Sequence, residues 1–341
     1  MQVANRKKLL MAGVLSLALG IVGAAAPVSA QEAGGEIWPM AWTPIFEDAG
    51  GATNFLTNMP VDGMILPFDK VQWPAESDLG PKGDGGLTTY LLSQPKADPP
   101  EDYIVFRIWG PRRRMGEDPQ EHWHRELRPE VMIFGHGYSI GFSRTFDPSV
   151  RQNVGPGDGF VELPGGRHFG FSDYPDVGRN PARNVMFVAG TPPIVDKMNE
   201  SPNNRDHGWC YFQEQLEYEP PVGTGPMLWR FVNDSRKPGE FYTEFNKYLP
   251  GHGLAAHTHA TDLYGIVVSG TIYMNFGDNP DPHTGLPYRK MTPGTFFFVP
   301  AGIAHAMSMP AGGTQEAIVY LLGRGPSTIT MLEPRKQVHV H

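Results

Sequence analysis

The chain has 341 residues, enough for one large domain or two ordinary ones, and its 40% hydrophobic content against 19% charged residues supports a sizeable buried core. The formal charge of −8 disfavours nucleic acid and anionic membrane surfaces as partners. With 41 Gly and 34 Pro, the composition suits many short strands joined by turns and not long helices.

The chain opens with "NRKK", a long apolar run and the small-residue ending "VSA" at Val28–Ala30. This reads as an export signal over residues 1–30, with the mature chain starting near Gln31, and predicts a periplasmic or secreted protein. A membrane anchor is the rival reading, since the run approaches a span in length. Pro27 and the small residues favour cleavage. Loss of Arg6, Lys7 and Lys8 with the signal takes the formal charge from −8 to −11. Cys210 is the one cysteine, so an exported chain of this kind holds no internal disulfide, and its stability must come from packing. Its setting, "HGWCYF", reads as a buried small hydrophobe and not a nucleophile.

Beyond residue 31 the apolar segments are short, β-branched and aromatic: "YIVFRIWG", "EVMIFGHGYSIGF", "GFVELP", "NVMFVAG", "MLWRFV", "LYGIVVSGTIYMNF", "GTFFFVP" and "EAIVYLLG". Turn-rich stretches such as "GDNPDPHTGLP" separate them. The pattern predicts an all-β sandwich or barrel. It also repeats. "HWHRELRPEVMIFGHGYSIGF" from His122 parallels "HTHATDLYGIVVSGTIYMNF" from His257, and "GPGDGFVELPGGRHFGFS" parallels "TPGTFFFVPAGIAHAMS". Two β-domains of one plan follow. The expected division is an extension over 31–69, a first barrel over 70–185, a linker over 186–209, a second barrel over 210–328 and a tail over 329–341.

Side chains two apart on a strand share a face, so His257 and His259 project together. His305, after the turn made by Pro300 and Gly302, offers a third imidazole from another strand. Three imidazoles with an open position form a familiar layout for a catalytic metal.

These residues resemble the cupin superfamily. Its first motif runs Gly, five residues, His-x-His, three or four residues, Glu, six residues, Gly. This chain has Gly251, His257, His259, Leu263 and Gly270 at those places. The second motif runs Gly, five residues, Pro-x-Gly, two residues, His, three residues, Asn. Here it is Gly294, Pro300, Gly302, His305 and Met309. Every spacing fits, while Leu263 replaces the Glu and Met309 the Asn. The first half matches in stretched spacing through His122, His124, Glu130 and His168, and Glu130 keeps the parity of the two histidines. The resemblance therefore implies a bicupin of two tandem jelly-roll barrels. It implies metal ligands His257, His259 and His305, and in the first half His122, His124, Glu130 and His168. Each intact site would take one divalent transition metal, Fe, Mn, Zn, Ni or Cu.

Loss of the carboxylate leaves a three-His shell with the full dipositive charge. Asp262 turned inward, or a water, would fill the vacant place. Asp262 and Tyr264 are the candidate proton-carrying residues. The implied activity is a metal-dependent enzyme of dioxygenase or isomerase/lyase type acting on a small organic molecule. The alternative is a non-catalytic cupin that binds a sugar or organic acid in the cell envelope. A homodimer is an expectation of the resemblance; nucleic acid and, after signal cleavage, membrane are not expected partners. His339 and His341, His252, His283 and the basic "GPRRRMG" loop read as a frayed end and solvated turns.

Overall fold

The computed structural model describes residues 63–71, 87–92, 102–109, 127–135, 138–142, 151–163, 166, 168–172, 184–190, 208–232, 237–277, 289–310 and 312–332. The expected signal, the first-half His-x-His and the terminal tail beyond 332 lie outside these residues. No helix among the described residues is long and apolar enough to cross a membrane.

The described residues are almost entirely β. Strand β1 is Met64–Leu66. Strands β2 to β9 are Leu87–Leu92, Tyr103–Trp109, Arg128–Phe134, Tyr138–Phe142, Gln152–Val154, Gly159–Glu162, His168–Ser172 and Asn184–Gly190. Strand β10 is Gly208–Tyr211. Strands β11 to β20 are Met227–Val232, Phe241–Tyr248, Gly253–His259, Leu263–Ser269, Ile272–Phe276, Arg289–Met291, Phe296–Val299, His305–Ser308, Ala317–Arg324 and Ile329–Met331.

Two sheets serve each half, and the sequence repeat reappears in their strand order. One six-stranded sheet runs β10-β7-β4-β9-β3-β2, the other β1-β17-β14-β19-β12-β11. A three-stranded sheet, β6-β5-β8, corresponds to β16-β15-β18 of a five-stranded sheet that continues through β13 and β20. The described strand pairs are antiparallel, as expected for a jelly roll built of hairpins and long returns.

The edges depart from the expected division. Strand β1, from the 31–69 extension, pairs with β17 of the second half through Met64↔Phe298 and Leu66↔Phe296. Strand β10 leads into the second half yet pairs with β7 of the first, Trp209 opposite Val161. The sheets are thus not separated at residue 70 or at residue 210, because each half lends an edge strand to the other. Such an exchange covers sheet edges that would otherwise stay open.

Both large sheets are buried on two faces, so their strands read as unbroken apolar runs. In "FFFV" of β17, Phe297 and Val299 enter the core of the second barrel, while Phe296 and Phe298 enter a core shared by the two six-stranded sheets. Phe187 of β9 meets Phe296 at 6.0 Å and Tyr320 of β19 at 5.9 Å. Tyr211 of β10 meets Phe245 of β12 at 5.5 Å. The halves therefore share one hydrophobic layer, and each fully buried aromatic contributes roughly 1.5–3 kcal/mol by area. Cys210 is half-buried with no disulfide partner, and burial pushes its thiol up to about 12, so it stays an inert thiol.

Phe187 touches aromatics of the other half and has no solvent exposure. Phe187→Ala is expected to cost about 3–5 kcal/mol. Because the layer is shared, denaturant unfolding followed by far-UV circular dichroism and by tryptophan fluorescence should give one coincident transition, moved to lower denaturant in the variant.

Candidate metal centre

The ligand-bearing strands are neighbours. His257 of β13 stands directly opposite His305 of β18 in the ladder, after a bulge between Leu254 and His257. The turn that returns the chain to β18 is tied to β13 itself: Gly302 N–H donates to the His259 carbonyl at 2.8 Å, and Ile303 N–H to the Pro300 carbonyl at 3.1 Å. Gly302 has φ +77°, a conformation in which other residues are strained, which explains its place in the Pro-x-Gly spacing.

The three rings converge. Their centroids lie 4.1 Å apart for His257 and His305, 5.0 Å for His257 and His259, and 5.1 Å for His259 and His305. One ring nitrogen from each lies within 4.8 Å of the others, and all three residues are buried. Among the described residues this is the group of His, Cys, Asp or Glu side chains placed to share an ion. His257 Nδ1 lies 2.7 Å from the Ala255 carbonyl and His305 Nδ1 3.4 Å from the Ile303 carbonyl. Backbone contacts at one nitrogen orient the ring and leave the other for the shared point.

Burial lowers the pKa of all three imidazoles: of His257, of His259 to about 3 with help from His257, and of His305 with help from both neighbours. The centre is thus a neutral, buried nest of ring nitrogens. His305 Nε2 and His259 Nδ1 are buried without a hydrogen-bond partner. Buried polar atoms of that kind are costly unless something satisfies them, and three neutral imidazoles form a donor set that a divalent transition ion fits.

Leu263, at the motif's carboxylate place, packs in the core of the second barrel beside Val299. Met309, at the Asn place, is buried there too, its N–H bonded to the His252 carbonyl at 2.8 Å. Met274, Met291 and Met307 belong to the same core. Glu244 and Asn246 of β12 also face it, since they stand opposite Leu321 and Val319 of β19, which belong to the same core. Sequence reading missed this pair. The signal was present in "FYTEFNKY", where Glu244 and Asn246 share parity with Tyr242 and Tyr248 on a strand buried on both faces.

Asp262 and Tyr264 stand elsewhere. Asp262 is exposed, and its Oδ1 accepts the Ala301 N–H at 2.8 Å. That bond braces the turn before His305 and directs the carboxylate away from the vacant place. Tyr264 follows Leu263 on β14, so alternation sends it to the opposite face, where it stacks on Phe298 at 5.0 Å. It packs against the core shared by the two halves and not the cup. This geometry gives no support to proton transfer at the histidine centre by either residue.

In the first half, His122 and His124 lie outside the described residues. Glu130 and His168 are both buried, but within a charge network. His168 Nε2 lies 2.9 Å from Glu162 Oε1, Arg128 Nε 3.2 Å from Glu130 Oε1, and Arg128 Nη1 3.7 Å from Glu162 Oε2. The registers explain the difference. Arg128 pairs with Glu162 as Leu263 pairs with Val299, so Arg128 occupies the place expected for Glu130, and Glu130 stands two residues further along, opposite Phe160. The two additional residues between His124 and Glu130, relative to His259 and Leu263, match that offset. A guanidinium already lies between the two carboxylates. Burial opposes charge on His168, but the adjacent Glu162 carboxylate outweighs it and leaves the pKa raised.

No family model and no curated protein sequence matches the chain. Solved structures do resemble it. Salicylate 1,2-dioxygenase from Pseudoaminobacter salicylatoxidans, a variant in complex with gentisate, superposes with TM-score 0.50 at 14% identity over 77% of this chain and 82% of that one. A cupin 2 conserved barrel domain protein from Leptotrichia buccalis gives 0.48 at 14% identity over 77% and 96%. Oxalate decarboxylase from Bacillus subtilis gives 0.46 at 13% identity over 81% of both chains. These are cupin-type proteins, and the fold of this chain is the cupin fold.

The two halves should respond to acid with opposite signs. The centre histidines have folded pKa values below 6.5, so above neutrality they impose no proton-linked cost, and below 6.5 the unfolded chain takes up protons the folded one refuses. The metal-free protein should therefore lose stability from pH 7 to pH 5, and His259→Gln should flatten that slope in urea titrations. His168, with its raised pKa, stabilises the fold below 6.5, a contribution lost as pH rises through the raised value. His168→Gln should accordingly cost more at pH 5 than at pH 8, on the order of 3 kcal/mol at the acid end for breaking a buried pair.

Proposed function

We propose that this is an exported bicupin enzyme with one working metal centre at His257, His259 and His305, acting on a small organic molecule by dioxygenase or isomerase/lyase chemistry. The observation that carries the reading is the convergence of three buried, neutral imidazoles from β13 and β18.

A divalent transition ion in that nest supplies Lewis-acid polarisation or, with Fe or Cu, dioxygen activation. The remaining chemistry is the protein's. The imidazoles would hold and tune such an ion without adding charge, which would leave its dipositive charge to favour an anionic substrate group such as a carboxylate, phenolate or enolate. Leu263, Val299, Met274, Met291 and Met307 of the barrel core exclude water and give an apolar body its place. Glu244, Asn246 and Tyr248, whose hydroxyl donates to Met307 Sδ at 3.7 Å, supply polar groups on the opposite wall that can orient a substrate. The gentisate complex of the similarly folded salicylate dioxygenase supports an aromatic hydroxy-acid as one substrate type to test. The sequence "NRKK…VSA" supports export to the periplasm or beyond, and N-terminal sequencing of the mature protein tests it through a start near Gln31.

A second reading is favoured by the replacement of both remaining motif residues, by Leu263 and Met309: a non-catalytic cupin holding a sugar or organic acid. One experiment separates the two. The protein, purified from its native compartment without a histidine tag, should carry about one equivalent of transition metal by elemental analysis. His257→Ala and His305→Ala should retain the β-type dichroism yet lose most of that metal, together with activity on small-molecule substrates. Substoichiometric metal in the native protein, or ligand affinity that survives metal stripping, would favour the binding reading.

A further inference from the structure

Tyr264 and Asp262 do face a cavity, but a different one. Where the core shared by the two halves ends, beside the mouth of the second barrel, a pocket of about 390 Å³ opens. That volume lies in the range of roughly 300–1,000 Å³ usual for small-molecule sites, which favour such junctions. Ile104 comes from the first half, and Phe241, Tyr264 and Leu322 from the second. Ile104, Phe241 and Leu322 are buried members of the shared core, so the apolar walls are fixed by packing that exists for other reasons. Stacking on Phe298, with the ring planes 23° apart, holds the Tyr264 ring in place.

The polar lining is unbalanced. Arg324, the cation of the described lining, is committed. Its Nε and Nη2 donate to the two Asp102 oxygens at 2.7 Å each, and its Nη1 to the Gly239 carbonyl at 2.7 Å. That leaves Asp262, which receives one backbone N–H and makes no ion pair with Arg324 or another described cation. The Tyr264 hydroxyl stands on the same wall. Burial raises its pKa, and Asp262 and Asp102 raise it further, so it remains a neutral donor and acceptor.

We propose that this pocket binds a small organic cation with a flat apolar body, an arylalkylamine or a molecule of that chemistry. The aromatic and aliphatic walls take the body. The Asp262 carboxylate takes the ammonium, and the Tyr264 hydroxyl accepts a second N–H. The site needs no metal, and so it stands or falls apart from the histidine centre.

The test uses 2-phenylethylamine and, as an anion of similar shape, 3-phenylpropionate, titrated by calorimetry into metal-stripped full-length mature protein. The amine should bind saturably at one site and the acid should not. Asp262→Asn retains an oxygen for the Ala301 N–H, and should weaken the amine about fivefold, as expected for one partly exposed charge pair. Thr261→Trp fills the pocket from its lining loop and should abolish binding. Circular dichroism checks each fold, and Asp262→Asn decides alone if Thr261→Trp does not fold. Absence of saturable amine binding, equal binding of the acid, or an affinity indifferent to Asp262→Asn would overturn the proposal.

Discussion

Burial of the two large sheets on both faces governs everything else in this molecule. A strand in such a sheet has no solvent side, so each residue is committed either to a barrel interior or to the layer between the halves. In β14, Leu263 and Val267 go one way, Tyr264, Ile266 and Val268 the other. Consecutive residues can thus belong to different sites. The histidine cup and the junction pocket sit back to back on a single strand.

The same architecture gives its two halves different electrostatic characters. The second barrel gathers three imidazoles at its centre with the Glu244 carboxylate on the facing wall, and burial keeps the rings neutral. The first barrel fills the corresponding space with Arg128, Glu130, Glu162 and His168, a buried set held by mutual attraction. An uncharged nest of ring nitrogens invites a cation. A network that already contains its own guanidinium pairs its carboxylates with charge from within. A two-residue difference between where Glu130 falls on β4 and where Leu263 falls on β14 underlies the contrast.

Much of this was legible in the sequence because the information was local. His257 and His259 share a face by alternation alone, and the spacing of Pro300, Gly302 and His305 encodes a turn that the backbone carries out. Alternation also fixes Tyr264 on the face away from Leu263, a parity that the spacing of "DLYG" contained. What escaped was non-local. Arg128 took the place read as that of Glu130 because parity alone leaves both on one face, and the pairing of β4 with β7 decides which stands at the Leu263 position. Glu244 and Asn246 were missed because strand β12 lies opposite the motif strands and carries no motif itself. The destinations of β1 and β10 depend on which sheet has a free edge, a property of the assembled fold.

The exchange of β1 and β10 has a mechanical consequence. Each half is buckled to the other by a strap that starts on the wrong side of the seam, so separating them requires breaking backbone ladders as well as an apolar layer. A hinge is therefore not available at this seam. A fragment starting after Tyr211 would present β17 with an unprotected rim, inviting a neighbouring chain to complete it.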